Sequence, residues 1–287
     1  MKMSAGEKVF QVFLILFFTI LSVAMIYPFL HVLSISLSTA KEALRPGLHF
    51  FPHEISLFAW KKVFTTNTVW LAFGNTVFRT VMGTFLSLIA MSLAAYPLSR
   101  KYLPHRSFYM TFIIITMFFS GGLIPSYLLI KSLGLVDSRW VLIIPGLIST
   151  YSMFILRNFY MGIPSELEDS AKMDGANDIR ILFSVIIPLS KPVLATLALW
   201  SAVGHWNAWF DALIYLQDPD KIVLQTYLRR LVITAEGDPI LPLRTPDMEP
   251  ETVKAAVIMF TALPILILYP FLQRYFVKGV MVGSLKG

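Results

Sequence analysis

The chain contains no cysteine, which excludes a disulfide framework, thiol chemistry and any thiolate metal site. It is also short of charge: Asp, Glu, Lys and Arg make up 14% of 287 residues, where a soluble domain carries about a quarter. There is no GxxxxGK(S/T) phosphate loop, so the chain is not expected to hydrolyse ATP by itself. There is no G-x-S-x-G elbow and no paired buried carboxylates to suggest a hydrolase, so no catalytic residue is assigned. Of five histidines only His49 and His53 stand four apart. Glu54 is close enough in sequence to be a third ligand, but Pro52 opposes the helical turn that would align the two rings, so they read as loop histidines and no metal site is expected.

What is present is apolar. Hydrophobic residues are 56% of the chain and the mean hydropathy is +0.69, the signature of a polytopic membrane protein. Helices of about twenty residues with their loops account for the whole length. We therefore expect one all-α membrane domain over residues 1–287. The net charge of +7 does not point to nucleic acid, because the basic residues are scattered and form no stripe with interleaved aromatics. Apolar runs predict spans at about Val9–Ser36, Val69–Leu98 with Arg79 inside it, Phe108–Ser132, Trp140–Tyr160, Val193–Leu216 and Val253–Phe276. The third is interrupted at Ser120-Gly121-Gly122 and Pro125, and interrupted backbone in a membrane lines a cavity or is buried in protein. Residues 39–68 and 217–251 read as external segments, with repeated Pro excluding a long helix in the second.

Set against these runs is one polar segment, Pro164 to Pro192 (PSELEDSAKMDGANDIRILFSVIIPLSKP). Ser165 and Glu168 have capping-box spacing, which predicts a helix from Ser165 to about Met173. Asp174-Gly175 should end it, since glycine accepts the left-handed conformation. Asn177 or Asp178 can cap a second helix with Ile179, Leu182, Phe183 and Ile186 on one face, broken by Pro188. An amphipathic helix resting on headgroups would be basic on its polar face. This one sets Glu166, Glu168, Asp169, Asp174 and Asp178 against Lys172 and Arg180.

DSAKMDGA followed by IIPLSKP resembles the cytoplasmic loop of the inner-membrane permease subunits of binding-protein-dependent ABC importers, in the version found in the carbohydrate-uptake, maltose-type family. Asp169 stands where that family has Glu, a departure that keeps the charge and shortens the reach. The resemblance implies a type I ABC importer permease fold with six transmembrane helices and a coupling loop at about 164–192. In that loop Glu168, Asp169, Ser170, Ala171, Met173, Asp174, Gly175 and Ala176 would dock on an ATPase subunit. The ending FVKGVMVGSLKG is similar to the cytoplasmic tail, about 277–287, of a sugar-importer permease, which implies ATPase contact through Gly283, Ser284 and Lys286. Also implied are a second permease, two ATPase subunits holding ATP and Mg, an extracytoplasmic solute-binding protein, and a bacterial inner-membrane location with both termini cytoplasmic. No cofactor is implied for this chain. Charge counting adds little to the orientation, with twelve Lys/Arg on the proposed inside and eleven outside.

In the fifth span Gly204-His205-Trp206-Asn207-Ala208-Trp209-Phe210-Asp211 is polar and aromatic for its depth. Trp206, Asn207, Trp209 and Asp211 suit a sugar pathway, with aromatic faces on C–H-rich rings and amides on hydroxyls. An interfacial aromatic belt is the alternative. Arg79 admits helix pairing, snorkelling or substrate contact. GHWN-x-W-F resembles the second permease of oligosaccharide importers, including alginate importers. An ion-coupled secondary transporter of small polar solutes is the rival class, with Asp211 as its obvious carboxylate; a membrane-bound enzyme or channel is a further one, and neither explains the MDGA loop.

Overall fold

A computed structural model describes residues 5–233 and 251–267. In chain order these form α1 (Ala5–Ser36), α2 (Ala40–Ala43), α3 (Phe58–Thr65), α4 (Asn67–Ser99), α5 (Arg106–Phe118) and α6 (Leu123–Ser132). There follow α7 (Thr150–Met161), α8 (Glu166–Met173), α9 (Asp178–Ile181), α10 (Ile187–Leu189), α11 (Lys191–Asn207), α12 (Phe210–Tyr215) and α13 (Leu224–Ile233). Residues 251–267 are also helical and are termed α14. No strand occurs among the described residues beyond one isolated antiparallel bridge, Ser38 to Ile55.

Among the described residues α1 and α4 are long and apolar enough to cross a membrane. Two further bent pairs pass the same test together. One is α5 with α6, at 114°, and the other is Asp178–Leu189 with α11, at 85°. The first bend falls at the interruption read from Gly121-Gly122, and Gly122 takes a positive φ of 83° there.

The chain divides into two units. In the unit containing residues 5–70, 227–233 and 251–264, Ala59, Val63, Val69, Tyr227 and Val257 are buried. The Trp60 indole donates to Ser36 Oγ at 3.2 Å, and Phe64 and Trp70 both meet Phe260 edge-on. The unit containing residues 71–226 has two apolar clusters. One joins Met91, Ala95 and Tyr96 of α4 to Leu156 and Tyr160 of α7 and to Ile181 and Leu182. The other gathers Ile130, Val141, Leu142, Ala212 and Tyr215.

Two sequence readings are corrected. The stretch from Trp140 to Tyr160 is not one span: a 3-10 turn at Arg139–Leu142 leads into irregular backbone over 143–149 before α7 begins. Pro145 and Gly146 interrupt the apolar run, and Ser149 restarts the helix by accepting from Ser152 N–H at 3.4 Å. Pro188 does not break its helix either. A π-helical turn at Leu182–Ile186 precedes α10, loosening the ladder where proline offers no N–H, and the chain turns instead after Leu189.

Candidate functional site

α8 and α9 form the hairpin expected from the polar segment. α8 stops at Met173, Gly175 turns the chain with φ +79°, and Asn177 Oδ1 caps α9 by accepting from Arg180 N–H at 2.8 Å. The capping box is absent. Ser165 has helical dihedrals and makes no side-chain cap, because the Glu168 carboxylate is drawn elsewhere, to an ion pair with Arg100 at the foot of α4. Glu168 is only 4% exposed. Burial pushes its carboxyl above the usual range, more than the neighbouring Arg100 charge pulls it back.

The connection after α4 fastens the hairpin at further points. The Arg100 guanidinium lies 4.8 Å from the Tyr96 ring centroid, and the Lys172 ammonium lies 4.8 Å from that of Tyr102. Ala171 and Ala176 pack on the cluster shared by α4 and α7. One face of α8 is thus held against the unit by a buried pair and Ala171, and the turn after it by Ala176. The other presents Asp169, Ser170 and Met173, with Asp174 and Gly175 beyond its end, all exposed and Met173 88% so.

The polar aromatic cluster forms a break in a helix. α11 ends at Asn207 and α12 begins at Phe210, so the Ala208 carbonyl lies between two helices, while the Trp209 carbonyl accepts the first bond of α12 from Leu213 N–H at 2.9 Å. Arg79 of α4 donates to the Ala208 carbonyl at 3.1 Å and pairs with Asp211. Thr226 Oγ1 donates to the Trp209 carbonyl at 3.1 Å. Asn207 Nδ2 donates to the Val203 carbonyl at 3.1 Å, while its oxygen accepts from Gln225 Nε2 at 3.2 Å. Trp206 is buried and meets Phe73 edge-on, with centroids 6.0 Å apart. Arg79 is therefore a helix-pairing residue, and Trp206 and Asp211 are engaged in building the joint. Asn207 is exposed and Trp209 half-buried.

One helical turn earlier lies a cavity of about 400 Å3. Arg79 and Ser87 of α4, Ser149 and Ser152 at the start of α7, and Trp200 and Ser201 of α11 line it. Trp200 stacks on Tyr151, with centroids 6.5 Å apart and planes at 19°. His205, also lining it, lies so close to α4 that a Cβ at Gly83 would be 2.5 Å from its Nε2. Glycine is what permits that approach. The serines and Trp200 escaped the sequence reading because isolated Ser in apolar runs carries little signal. The available cue was Trp200-Ser201 one turn before Gly204-His205 on a single helix face.

Outside the spans, Asp137 follows α6. Its carboxylate accepts from Gln217 N–H and Asp218 N–H, both at 3.1 Å, and pairs with Lys221 Nζ at 3.1 Å. His49 lies beside His31, with ring centroids 5.4 Å apart, and Glu54 accepts from Thr39. No group of three metal-ligating side chains occurs among the described residues.

The family of binding-protein-dependent transport system inner membrane components matches residues 88–282, which take in the α8–α9 hairpin, the helix break and the part of the cavity lining that α7 and α11 supply. The chain belongs to this family. The permease is 40% identical over 284 residues to the polygalacturonan/rhamnogalacturonan transport system permease protein YtcP of Bacillus subtilis (strain 168), covering 98% of this chain and 99% of that one. It is 41% identical over 285 residues to protein LplC of the same organism, covering 98% and 96%. Among solved structures it is similar to a bacterial ABC transporter involved in the import of the acidic polysaccharide alginate. The TM-score is 0.90 at 32% identity, covering 96% of this chain and 99% of that one. The permease is thus an all-α inner-membrane transport component. The tail residues Gly283, Ser284 and Lys286 lie outside the described residues.

Proposed function

We propose that this permease is one of two transmembrane subunits of an ATP-driven importer for oligosaccharides, and that α8 is the element through which it answers an ATPase subunit. The observation that carries the reading is the hairpin itself: a helix and the turn after it fixed from beneath by a buried ion pair and small residues, with an acidic, small-residue face left open. Such a face lets another helix or groove approach closely. The relatives support the saccharide class, being a polygalacturonan/rhamnogalacturonan permease and a transporter for alginate.

In this reading the chain crosses the membrane six times as a single domain, with both termini cytoplasmic. ATP and Mg sit on partner subunits and an extracytoplasmic protein delivers the solute. The tail, including Gly283, Ser284 and Lys286, reaches the ATPase interface. Ion-coupled transport has less to work with, because Asp211 is committed to Arg79. The test is Asp169→Lys in the purified assembly. We expect the subunit to insert and assemble while substrate-stimulated ATP hydrolysis is lost; normal coupling overturns the docking role.

A further inference from the structure

We propose that the cavity between α4, the 143–149 segment, α7 and α11 is a station for one hexuronate ring of a carboxylate-bearing oligosaccharide. Trp200 is its stacking face and Ser149, Ser152 and Ser201 are its hydroxyl partners. The proposal rests on the carbohydrate-importer reading and goes further by naming where this subunit touches the solute.

Size, lining and charge agree. The volume of about 400 Å3 falls within the ~300–1,000 Å3 of small-molecule sites. An acyl chain would select apolar walls, whereas this cavity carries four serine hydroxyls at a depth where polar groups are costly and mark pathways. Irregular backbone supplies one wall through Gly146 and Ser149, as expected of backbone that lines a wet cavity. The Trp200 indole is half open, and its stack on Tyr151 holds the ring plane in place. No carboxylate lines the cavity, while the Arg79 guanidinium does, with its Nε buried and lacking a partner. Asp211 pairs with one end of that guanidinium and fixes its orientation, while the lining itself adds no carboxylate to repel an anionic ring.

The absence of cysteine makes the test clean for this chain. Ser149→Cys and Ser201→Cys variants are reconstituted as complete importers in proteoliposomes. They are exposed to a cationic, water-soluble methanethiosulfonate, and labelling of this subunit is read by mass spectrometry. Trigalacturonate and maltotriose are the probes, each with ATP and binding protein. We expect both thiols to label, trigalacturonate to slow labelling several-fold, and maltotriose to leave it unchanged. Trp200→Ala should lower trigalacturonate uptake several-fold, and Trp200→Phe, which keeps an aromatic face, should restore most of it. Unreactive thiols, or thiols never shielded while trigalacturonate is transported, overturn the station and leave the importer reading standing. Shielding by maltotriose alone overturns the carboxylate preference. Uptake of neither saccharide overturns the carbohydrate reading, and the station with it.

Discussion

Arg100 at the foot of α4 faces Glu168 of α8, and both side chains are shut away from solvent, at 9% and 5% exposure. The pair ties α8 to the end of α4 through a charged contact closed to water. Removing one partner strands the other charge in a dry site, at a cost of ~3–5 kcal/mol. We expect Arg100→Gln and Glu168→Gln each to lower the melting temperature of the assembled importer and to weaken substrate-stimulated ATP hydrolysis. Arg100→Met combined with Glu168→Leu should recover much of the stability, because no lone charge remains. A single variant that melts and couples like the parent removes the pair from this role.

At Gly83 the issue is space. A Cβ there would lie 2.5 Å from His205 Nε2, and the three atoms nearest to it all belong to that ring. Gly83→Ala should cost ~1–3 kcal/mol through overpacking, visible as a lower melting temperature in detergent. Adding His205→Ala should relieve the clash and restore stability, whereas an additive double variant would show that α4 and α11 do not meet through this ring.

How far the sequence disclosed these features depends on the kind of signal each carries. The hairpin was legible because Gly175 and Asn177 act locally, one through backbone freedom and the other as a cap. The third-span interruption was legible for the same reason. The role of Glu168 was not: its spacing from Ser165 favoured a cap, and only tertiary structure brings Arg100 close enough to outbid it. The break at Ala208 was hidden too, since no Pro or Gly marks it. It exists because Arg79, 129 residues away, accepts the cost of the freed carbonyl. Pro145-Gly146 was visible, yet hydrophobicity alone argued for a continuous helix across it.

Gly175 supplies a sharper test of the hairpin. Its φ of +79° is the left-handed region, where a residue with a Cβ is disfavoured by ~1–2 kcal/mol. Gly175→Val should shift or fray the start of α9 and reduce substrate-stimulated ATP hydrolysis without preventing membrane insertion. Gly175→Asn should be milder, because Asn tolerates this conformation. Equal activity of the Val and Asn variants would mean that the turn geometry is not what coupling reads.

Asp137 provides the pH test. Backbone N–H donation from Asp218 holds its carboxyl below the usual range; burial opposes this, and Lys221 and Gln217 add lesser pulls in the same direction as Asp218. In the unfolded chain the group returns to about 3.9. A depressed folded value means that the stabilising contribution is fully present above that ordinary value and is lost as pH falls through the lower, folded one. Asp218 is depressed as well, chiefly by the Asp220 N–H, so the two carboxyls weaken over the same acidic window. We expect amide protection at Gln217 and Asp218, corrected for intrinsic exchange rates, to be flat from neutral pH to about 4 and to fall below it. Asp137→Ala should lose that protection at every pH, since both backbone donors lose their acceptor. Asp137→Asn keeps an acceptor oxygen but no charge, so protection should be partial and the part of the pH dependence owed to position 137 should vanish. The full pH dependence surviving in Asp137→Asn would transfer the clamp to Asp218 and remove Asp137 from it.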